Sequence, residues 1–144
     1  MWEELTMADP KVEQGMPLNE IIENLKQKFR DAVLLTDHQR YANAIYLSGY
    51  CVELALKYAI AKHLNWGAFR TAGDLKVLKT HNFFFLLQLT GQEQSIKDLA
   101  AWNIVSKWNE SKRYENPRKA KPADAKSMLL ATEILVKELC AISL

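Results

Sequence analysis

The chain has 144 residues, which suits a single domain that is large enough to bury a core. Its composition, 49% hydrophobic and 25% charged residues, excludes a disordered or fibrous protein. The formal net charge is only +2, but residues 1–24 contain six acids and one base, whereas residues 107–126 contain seven bases and three acids. The basic segment is either a solvated surface or an anion-binding patch.

The first sixteen residues have no sustained hydrophobic periodicity and contain Pro10 and Gly15. We therefore expect an N-terminal tail over residues 1–16 and a single helical domain over residues 17–144. Neither an internal repeat nor a low-complexity segment divides the chain further.

The start of the sequence also bears on location, because Glu3 and Glu4 stand where a secretory signal peptide carries positive charge. No apolar segment follows them. Cys51 and Cys140 lack the spacing of a metal site or of a disulfide framework, so we expect core thiols in a reducing compartment. These features predict a cytoplasmic protein.

Two helices are predicted in the first part of the domain. Asn19 is a candidate N-cap for helix one, which should end near Leu35 and bury an apolar stripe. That stripe consists of Ile22, Leu25, Phe29 and Val33. Thr36 followed by Gln39 fits a capping box for helix two, which should run over residues 38–63.

Helix two is apolar almost all round, with sixteen apolar residues among the twenty-one of segment 41–61. At 100° per residue five side chains that carry polar groups fall on one narrow stripe: Asn43, Tyr46, Tyr50, Glu53 and Lys57. Glu53 precedes Lys57 by four residues, the favourable order for an ion pair. The pair either fixes how neighbouring helices dock or forms the floor of a binding cleft. Because Asn43, Ser48, Glu53 and Lys57 interrupt the segment, we expect no membrane span.

The middle of the chain is less regular. Residues 64–80 have no clear period and should form a long connection that lies over a cleft or holds a short helix. Residues 81–90 predict a short apolar helix closed by Gly91, although three consecutive phenylalanines leave a buried strand open as the alternative.

Two more helices are predicted in the last third. Helix four should span residues 94–111, with Ala101, Ile104, Val105 and Trp108 at helical spacing. Pro117 and Pro122 bracket a basic loop, and helix five should then run over residues 123–142. Its expected core positions are Met128, Ala131, Leu135, Leu139 and Ile142. The class is therefore all-α, with four or five helices.

The search for chemistry-bearing motifs gives little. His38, His63 and His81 lie far apart and lack acidic or cysteine companions at ligand spacing, so no metal site is predicted. No phosphate-binding glycine loop or nucleophile motif of the classical hydrolases is present. Arg113 and Tyr114, beside the basic loop, combine a phosphate-binding cation with an aromatic face, which suits a nucleotide. An Arg-Tyr pair at a helix end also has purely structural uses.

Three segments carry a family resemblance: AIYLSGYCVELALKYAIA, HNFFFLLQLTG and WNESKRYEN. Together they resemble the HEPN family, the helical nucleotide-binding domain of prokaryotes and higher eukaryotes. The resemblance covers about residues 19–142. The positions that match the family pattern are Glu53, Lys57, His81, Arg113 and Tyr114.

The resemblance implies an up-and-down bundle of four or five helices, often dimeric, that binds nucleotides or RNA. Many members of the family are metal-independent ribonucleases, including toxins paired with nucleotidyltransferase-like antitoxins. Their signature is Arg, four to six residues, then His, in which His handles protons and Arg stabilises phosphorane charge. Here no histidine follows Arg113, or any other arginine, at that spacing.

The sequence therefore predicts a non-catalytic module that binds nucleotide or RNA phosphate through a basic cleft near the end of helix four. In this interpretation Arg113 contacts phosphate, and Tyr114 stacks on a base or supports the site. The other expected site residues are Lys112 and Arg118, which add positive potential, Glu53 and Lys57, which order the cleft, and His81. No cofactor and no metal are expected. The expected partners are a nucleotide or RNA, a second copy of the chain, and a nucleotidyltransferase-like or defence protein.

Two other functions remain open. One is a divergent ribonuclease, toxin-like and metal-independent, that uses His81, Tyr114 or Glu53 in proton transfer. The other is a protein-protein interaction module without nucleic-acid binding, in which exposed Trp2, Trp66 and Phe69 contact the partner.

Overall fold

The computed structural model describes residues 15–109 and 115–144, and nearly all of their regular secondary structure is helical. The α-helices are α1 (Leu18–Asp37), α2 (Tyr41–His63), α3 (Phe83–Gln88), α4 (Glu93–Lys97), α5 (Ala100–Val105) and α6 (Pro122–Cys140). Short 3-10 helices span Gly73–Leu78 and Pro117–Lys119, and two-residue strands β1 (Met16–Pro17) and β2 (Ala68–Phe69) pair antiparallel. The prediction of an all-α fold is confirmed.

Helix α2 is the centre of the core. It packs against α1 and α6, while α5 packs on α6. The three residues 38–40 link α1 to α2, and Arg40 N donates to Leu35 O across the link at 2.7 Å. The fully buried large side chains of the core include Ile21, Leu25, Leu56, Ile60 and Leu135. Each such side chain contributes about 1.5–3 kcal/mol relative to its exposed state.

By length and composition α2 is also a candidate membrane span, and two thirds of its most apolar window, 67%, is buried inside the bundle. A helix that the core of a soluble protein surrounds passes the same test. This candidate is therefore weak evidence for a membrane.

The ends of the first two helices differ from the sequence prediction. The N-cap of α1 is Pro17, so Asn19 lies inside the helix, and α2 begins at Tyr41. The predicted capping box at Thr36 is wrong, because Thr36 still belongs to α1 and its Oγ1 donates to Ala32 O at 2.9 Å. A threonine inside a helix commonly bonds the carbonyl four residues back.

The buried stripe of α1 is also rotated from the predicted one. Its buried residues are Ile21, Leu25, Phe29 and Ala32. Val33 is 37% exposed. Both stripes have helical spacing and share two members, so periodicity alone does not choose between them, whereas packing against α2 does.

The predicted helix four is divided into α4 and α5. Leu99 leaves the helical conformation, with ψ at 138°, and starts α5 as its N-cap. Of the four predicted apolar positions, Ala101, Val105 and Trp108 are buried, but Ile104 is 40% exposed.

The segment between α2 and α4 contains both a confirmed and a wrong prediction. Residues 83–88 are helix α3 rather than a strand; the Asn82 side chain accepts from Phe85 N at 3.1 Å, and Gly91 has a φ of 75°. The alternative of a protein interaction module needs an exposed Phe69, but this side chain is 3% exposed because β2 pairs with β1 and holds it against the core. Trp66 is half-buried against the same core, and Trp2 lies outside the described residues.

The last helix follows the prediction closely. Helix α6 buries Met128, Ala131, Leu135 and Leu139, four of its five expected core positions. Ile142 lies two residues beyond the helix end and packs, half-buried, against the core.

Candidate functional site

The polar stripe of α2 contains an ion pair at its buried end. Lys57 Nζ lies 3.1 Å from Glu53 Oε2, and the two side chains are only 12% and 6% exposed. The four-residue spacing that predicted this pair is the one that makes helical neighbours. At this depth each charge depends on the other, because leaving one partner buried alone costs several kcal/mol.

His81 joins the pair from the opposite side. His81 directly precedes the N-cap of α3. Its Nδ1 lies 2.6 Å from Glu53 Oε1, so both carboxylate oxygens of Glu53 have a side-chain partner. An ionised carboxylate only accepts hydrogen bonds, so Nδ1 carries the donated proton. The imidazole is then fixed in orientation while its side chain remains 47% exposed.

Aromatic rings continue this stripe toward the start of α2. Tyr46 Oη donates to Tyr50 Oη at 3.1 Å, and the Tyr50 ring meets both His81 and Trp108 edge-on, with centroids at 6.1 and 5.2 Å. Trp108 also stacks on Phe83 with centroids 5.2 Å apart. The indole lies so close to α2 that a Cβ added at Gly49 would stand 2.0 Å from it. The rings therefore fix the position of Trp108 against α2.

A cleft of about 520 Å³, here called the His81 cleft, opens beside these residues. Residues 79–84 form one wall and residues 106–109 form the other. Lys79 and Lys107 are exposed cations on the two walls, and Phe84 is an exposed aromatic side chain, 55% accessible. Glu53 and Lys57 support the cleft through His81 rather than by lining it.

Of two further clefts, the first shares lining residues with the His81 cleft and the second does not. The Met128 cleft, about 270 Å³, has Ile45, Ile104 and Met128 as apolar walls and Lys119 at its edge. The Arg118 cleft, about 540 Å³, includes Arg118 and the residues that begin α2.

The predicted site residues therefore divide into three groups. Glu53, Lys57 and His81 come together, which sequence spacing predicted for the first two only. Arg118 is exposed and lines a different cleft. Lys112, Arg113 and Tyr114 lie outside the described residues. The prediction of these seven as one binding site stays a prediction.

The residues of the His81 cleft that were missed as site residues include Lys79, Phe84, Lys107 and Trp108. Lys79 stands in an aperiodic segment and Trp108 fits a core stripe, so neither gives a local signal. Phe84 gives a weak one, because α3 buries Phe83 and leaves the next phenylalanine exposed. Within residues 15–109 and 115–144, no group of three His, Cys, Asp or Glu side chains is placed to hold a metal ion.

Comparison with known proteins gives one match. Residues 18–142 match the family model described as HEPN domain. No curated protein and no solved structure matches the chain. The matched segment contains every α-helix described above, and the protein therefore belongs to the HEPN domain family.

Proposed function

We propose that this protein is a non-catalytic module that binds nucleotide or RNA phosphate, with the His81 cleft as part of its binding surface. Membership of the HEPN family supports a nucleotide- or RNA-related role. The observation that carries the proposal is the lining of the cleft: among its described residues Lys79 and Lys107 are cationic and none is acidic.

The cleft has suitable chemistry for both parts of a nucleotide. Its volume, about 520 Å³, lies within the range of small-molecule sites. The two lysines supply positive charge for phosphate. Phe84 is held edge-on against Trp102, with centroids 5.8 Å apart, and its exposed surface is available to a base. Base stacking on an aromatic side chain contributes about 1–3 kcal/mol.

The basic segment after α5 extends this surface in sequence. Lys112, Arg113 and Tyr114 follow Asn109, a cleft residue, by three to five positions. In the proposal Arg113 contacts phosphate, Tyr114 stacks or supports it, and Arg118 adds positive potential. The Glu53–Lys57 pair orients His81.

Binding is tested by fluorescence polarisation with a labelled single-stranded RNA and a labelled nucleoside triphosphate, over a salt titration. We expect Lys79→Glu and Lys107→Glu to weaken binding at least tenfold at low salt and to flatten its salt dependence. Lys26→Glu is the matched control, because Lys26 is an exposed lysine of α1 outside all three clefts.

Arg113→Glu tests the predicted phosphate contact in the same assay. Unchanged affinity would exclude Arg113 from the site. Wild-type protein that binds neither probe at low salt would overturn the proposed function.

A second candidate function, a divergent metal-independent ribonuclease, is favoured by the 2.6 Å contact between His81 Nδ1 and Glu53. In its neutral form, with Nδ1 protonated, His81 has a lone pair on Nε2 that can accept the proton of a ribose 2′-hydroxyl. The 2′-oxygen bonds to phosphorus, the bond to the 5′-oxygen breaks, and that oxygen takes a proton from water. The products are a 2′,3′-cyclic phosphate and a 5′-hydroxyl.

Cleavage is tested with end-labelled RNA in the presence of a chelator, and the new ends are identified chemically. His81→Ala should abolish cyclic-phosphate products, Glu53→Gln should lower kcat, and His38→Ala should match the wild type. His38 is the control because it is an exposed histidine whose Nδ1 contacts only its own helix, at Leu34 O. Intact RNA with wild-type protein would exclude this second function.

We further propose that the protein forms a homodimer in the cytoplasm and acts beside a nucleotidyltransferase-like or defence protein. Family membership supports these proposals. Sedimentation at several protein concentrations measures the oligomeric state. A single species of 16.5 kDa at every concentration would contradict the homodimer. Co-purification with a nucleotidyltransferase encoded next to this chain tests the partner.

A further inference from the structure

Residues 1–14, here called the acidic segment, contain four acids and one base. They lie outside the described residues, but the residue that attaches them to the domain is described. Gly15 packs against the backbone of β2, where an added Cβ would overlap the carbonyl oxygen of Phe69. The acidic segment therefore joins the helical domain beside β2.

A short series of contacts leads from this attachment point to the His81 cleft. Lys57 Nζ lies over the Phe69 ring, 5.6 Å from its centroid. Lys57 pairs with Glu53 at 3.1 Å, and Glu53 contacts His81 at 2.6 Å. Fourteen extended residues reach about 46 Å, which is more than these few side chains span. The acidic segment is therefore long enough to cover the cleft.

The charge of the His81 cleft is opposite to that of the acidic segment. Lys79 and Lys107 are exposed on its two walls, and none of its described lining residues is acidic. The other two clefts fit less well, because Glu115 lines both of them and Asp124 also lines the Met128 cleft. Since opposite charges favour association and like charges oppose it, charge favours the His81 cleft among the three.

The apolar side chains of the two parts also match. Phe84 in the cleft is 55% exposed, and Val77, two residues before Lys79, is 63% exposed. The larger apolar residues of the acidic segment include Trp2, Leu5, Met7 and Val12. Exposed apolar side chains beside cations suit a partner that has both apolar and acidic groups. The acidic segment has both, whereas a phosphate group would use the cations alone.

We infer that the acidic segment binds over the His81 cleft of its own chain and competes there with anionic ligands. Its carboxylates pair with Lys79 and Lys107, and its apolar side chains contact Phe84. Because segment and cleft belong to one chain, the effective local concentration is on the order of millimolar, so weak contacts are sufficient. The docking is independent of the proposed function, whereas the competition with RNA or nucleotide rests on it.

Docking is measured by nuclear magnetic resonance on the full chain with a spin label at Thr6→Cys. Cys51 and Cys140 are buried, so the label reacts selectively with the new thiol. We expect the amide signals of residues 79–84 and 106–109 to broaden. Lys79→Glu combined with Lys107→Glu should abolish the broadening, and Lys26→Glu should leave it unchanged. Absence of broadening in the chain without these lysine substitutions would overturn the inference.

A mixture of chains distinguishes docking within one chain from docking between two. Isotope-labelled chains without a spin label are mixed with an equal amount of spin-labelled chains without the isotope. We expect no broadening in this mixture. Broadening as strong as in the doubly labelled chain would show that the acidic segment binds a second copy, which would overturn docking within the chain.

Competition is measured by RNA polarisation at low salt with a full-length variant whose acidic segment is neutralised. Its substitutions are Glu3→Gln, Glu4→Gln, Asp9→Asn and Glu13→Gln. The matched control neutralises four exposed acids outside all three clefts: Glu23→Gln, Asp37→Asn, Glu133→Gln and Glu138→Gln. Both variants gain the same net charge, so a difference between them reports the location of the acids. The first variant should bind RNA about threefold more tightly than the control, or better.

The outcomes separate this inference from the proposed function. If broadening is present but the two neutralised variants bind RNA equally, the competition is overturned. If broadening is present and no protein binds RNA or nucleotide, the docking is supported and the proposed function is overturned. Circular dichroism of each variant verifies that the helices are intact.

Discussion

The two faces of α2 satisfy their polar groups in different ways. On the core face, Ser48 Oγ donates to Ala44 O at 2.8 Å and Cys51 Sγ to Leu25 O at 3.6 Å, so backbone carbonyls are sufficient. On the opposite face, here called the site face, Glu53 needs the side chains of Lys57 and His81. His81 comes from a separate segment of the chain. The polar groups of the core face therefore contribute to stability, whereas those of the site face couple stability to the geometry of a cleft.

The largest expected effect lies on the core face. Leu25→Ala removes a completely buried side chain and should lower the free energy of unfolding by about 2–5 kcal/mol. Leu34→Ala, the same change at a position of α1 that is 57% exposed, should cost less than about 0.5 kcal/mol. Urea denaturation measures both. Neither substitution should change the RNA affinity of the folded protein. A changed affinity in the Leu25→Ala variant would contradict the separation of the core face from the site face.

On the site face, Glu53→Ala should lower the free energy of unfolding by about 3 kcal/mol. The variant leaves Lys57 with a buried charge and no carboxylate partner. The expected cost lies at the lower end of the range for breaking a buried ion pair, because the Lys57 side chain is 12% exposed. Adding Lys57→Met should recover most of the loss, since an apolar side chain needs no partner. Equal stability of the single and double variants would show that the pair is not coupled.

A smaller change tests how closely Trp108 packs on α2. Gly49→Ala places a Cβ within 2.0 Å of the indole and should cost about 1–3 kcal/mol through overpacking. It should also weaken RNA binding, because Trp108 lines two of the clefts. Gly67→Ala is the control, since nothing lies within 4 Å of a Cβ there. Tryptophan fluorescence during unfolding measures the loss of stability, and fluorescence polarisation measures the loss of RNA binding. A Gly49→Ala protein with wild-type stability would contradict the close packing of Trp108 on α2.

The part of the site that sequence could predict is the part that one helix creates. The positions of Glu53 and Lys57 follow from a four-residue spacing, and their burial follows from the apolar residues around them. His81 is 28 residues from Glu53, and no periodicity connects them. The resemblance to HEPN domains marked both positions but did not give the contact.

The errors in the fold have a similar cause. Thr36 fitted a capping box, and Phe69 fitted an exposed anchor, when each was considered with its sequence neighbours alone. The backbone of α1 continues past Thr36, and β1 brings Met16 opposite Phe69. Both outcomes depend on where another part of the chain lies, and local patterns do not contain this information.

The smallest effect tests whether the core face excludes charge. Burial raises the pKa of both the Cys51 and the Cys140 thiol from 9.0 to about 12. Because the folded-state pKa is the higher one, the stabilisation is complete below pH 9 and is lost between pH 9 and pH 12. At pH 10 each thiol should already cost about 1 kcal/mol relative to pH 7. As the pH rises over this range, we expect the free energy of unfolding of the wild type to fall relative to that of the variant with Cys51→Ala and Cys140→Ala. The other titrating groups are the same in both proteins, so their contributions cancel. If the difference in free energy of unfolding between the two proteins stays constant from pH 7 to pH 10, water reaches these thiols. The core face would then be accessible to solvent, as the site face is.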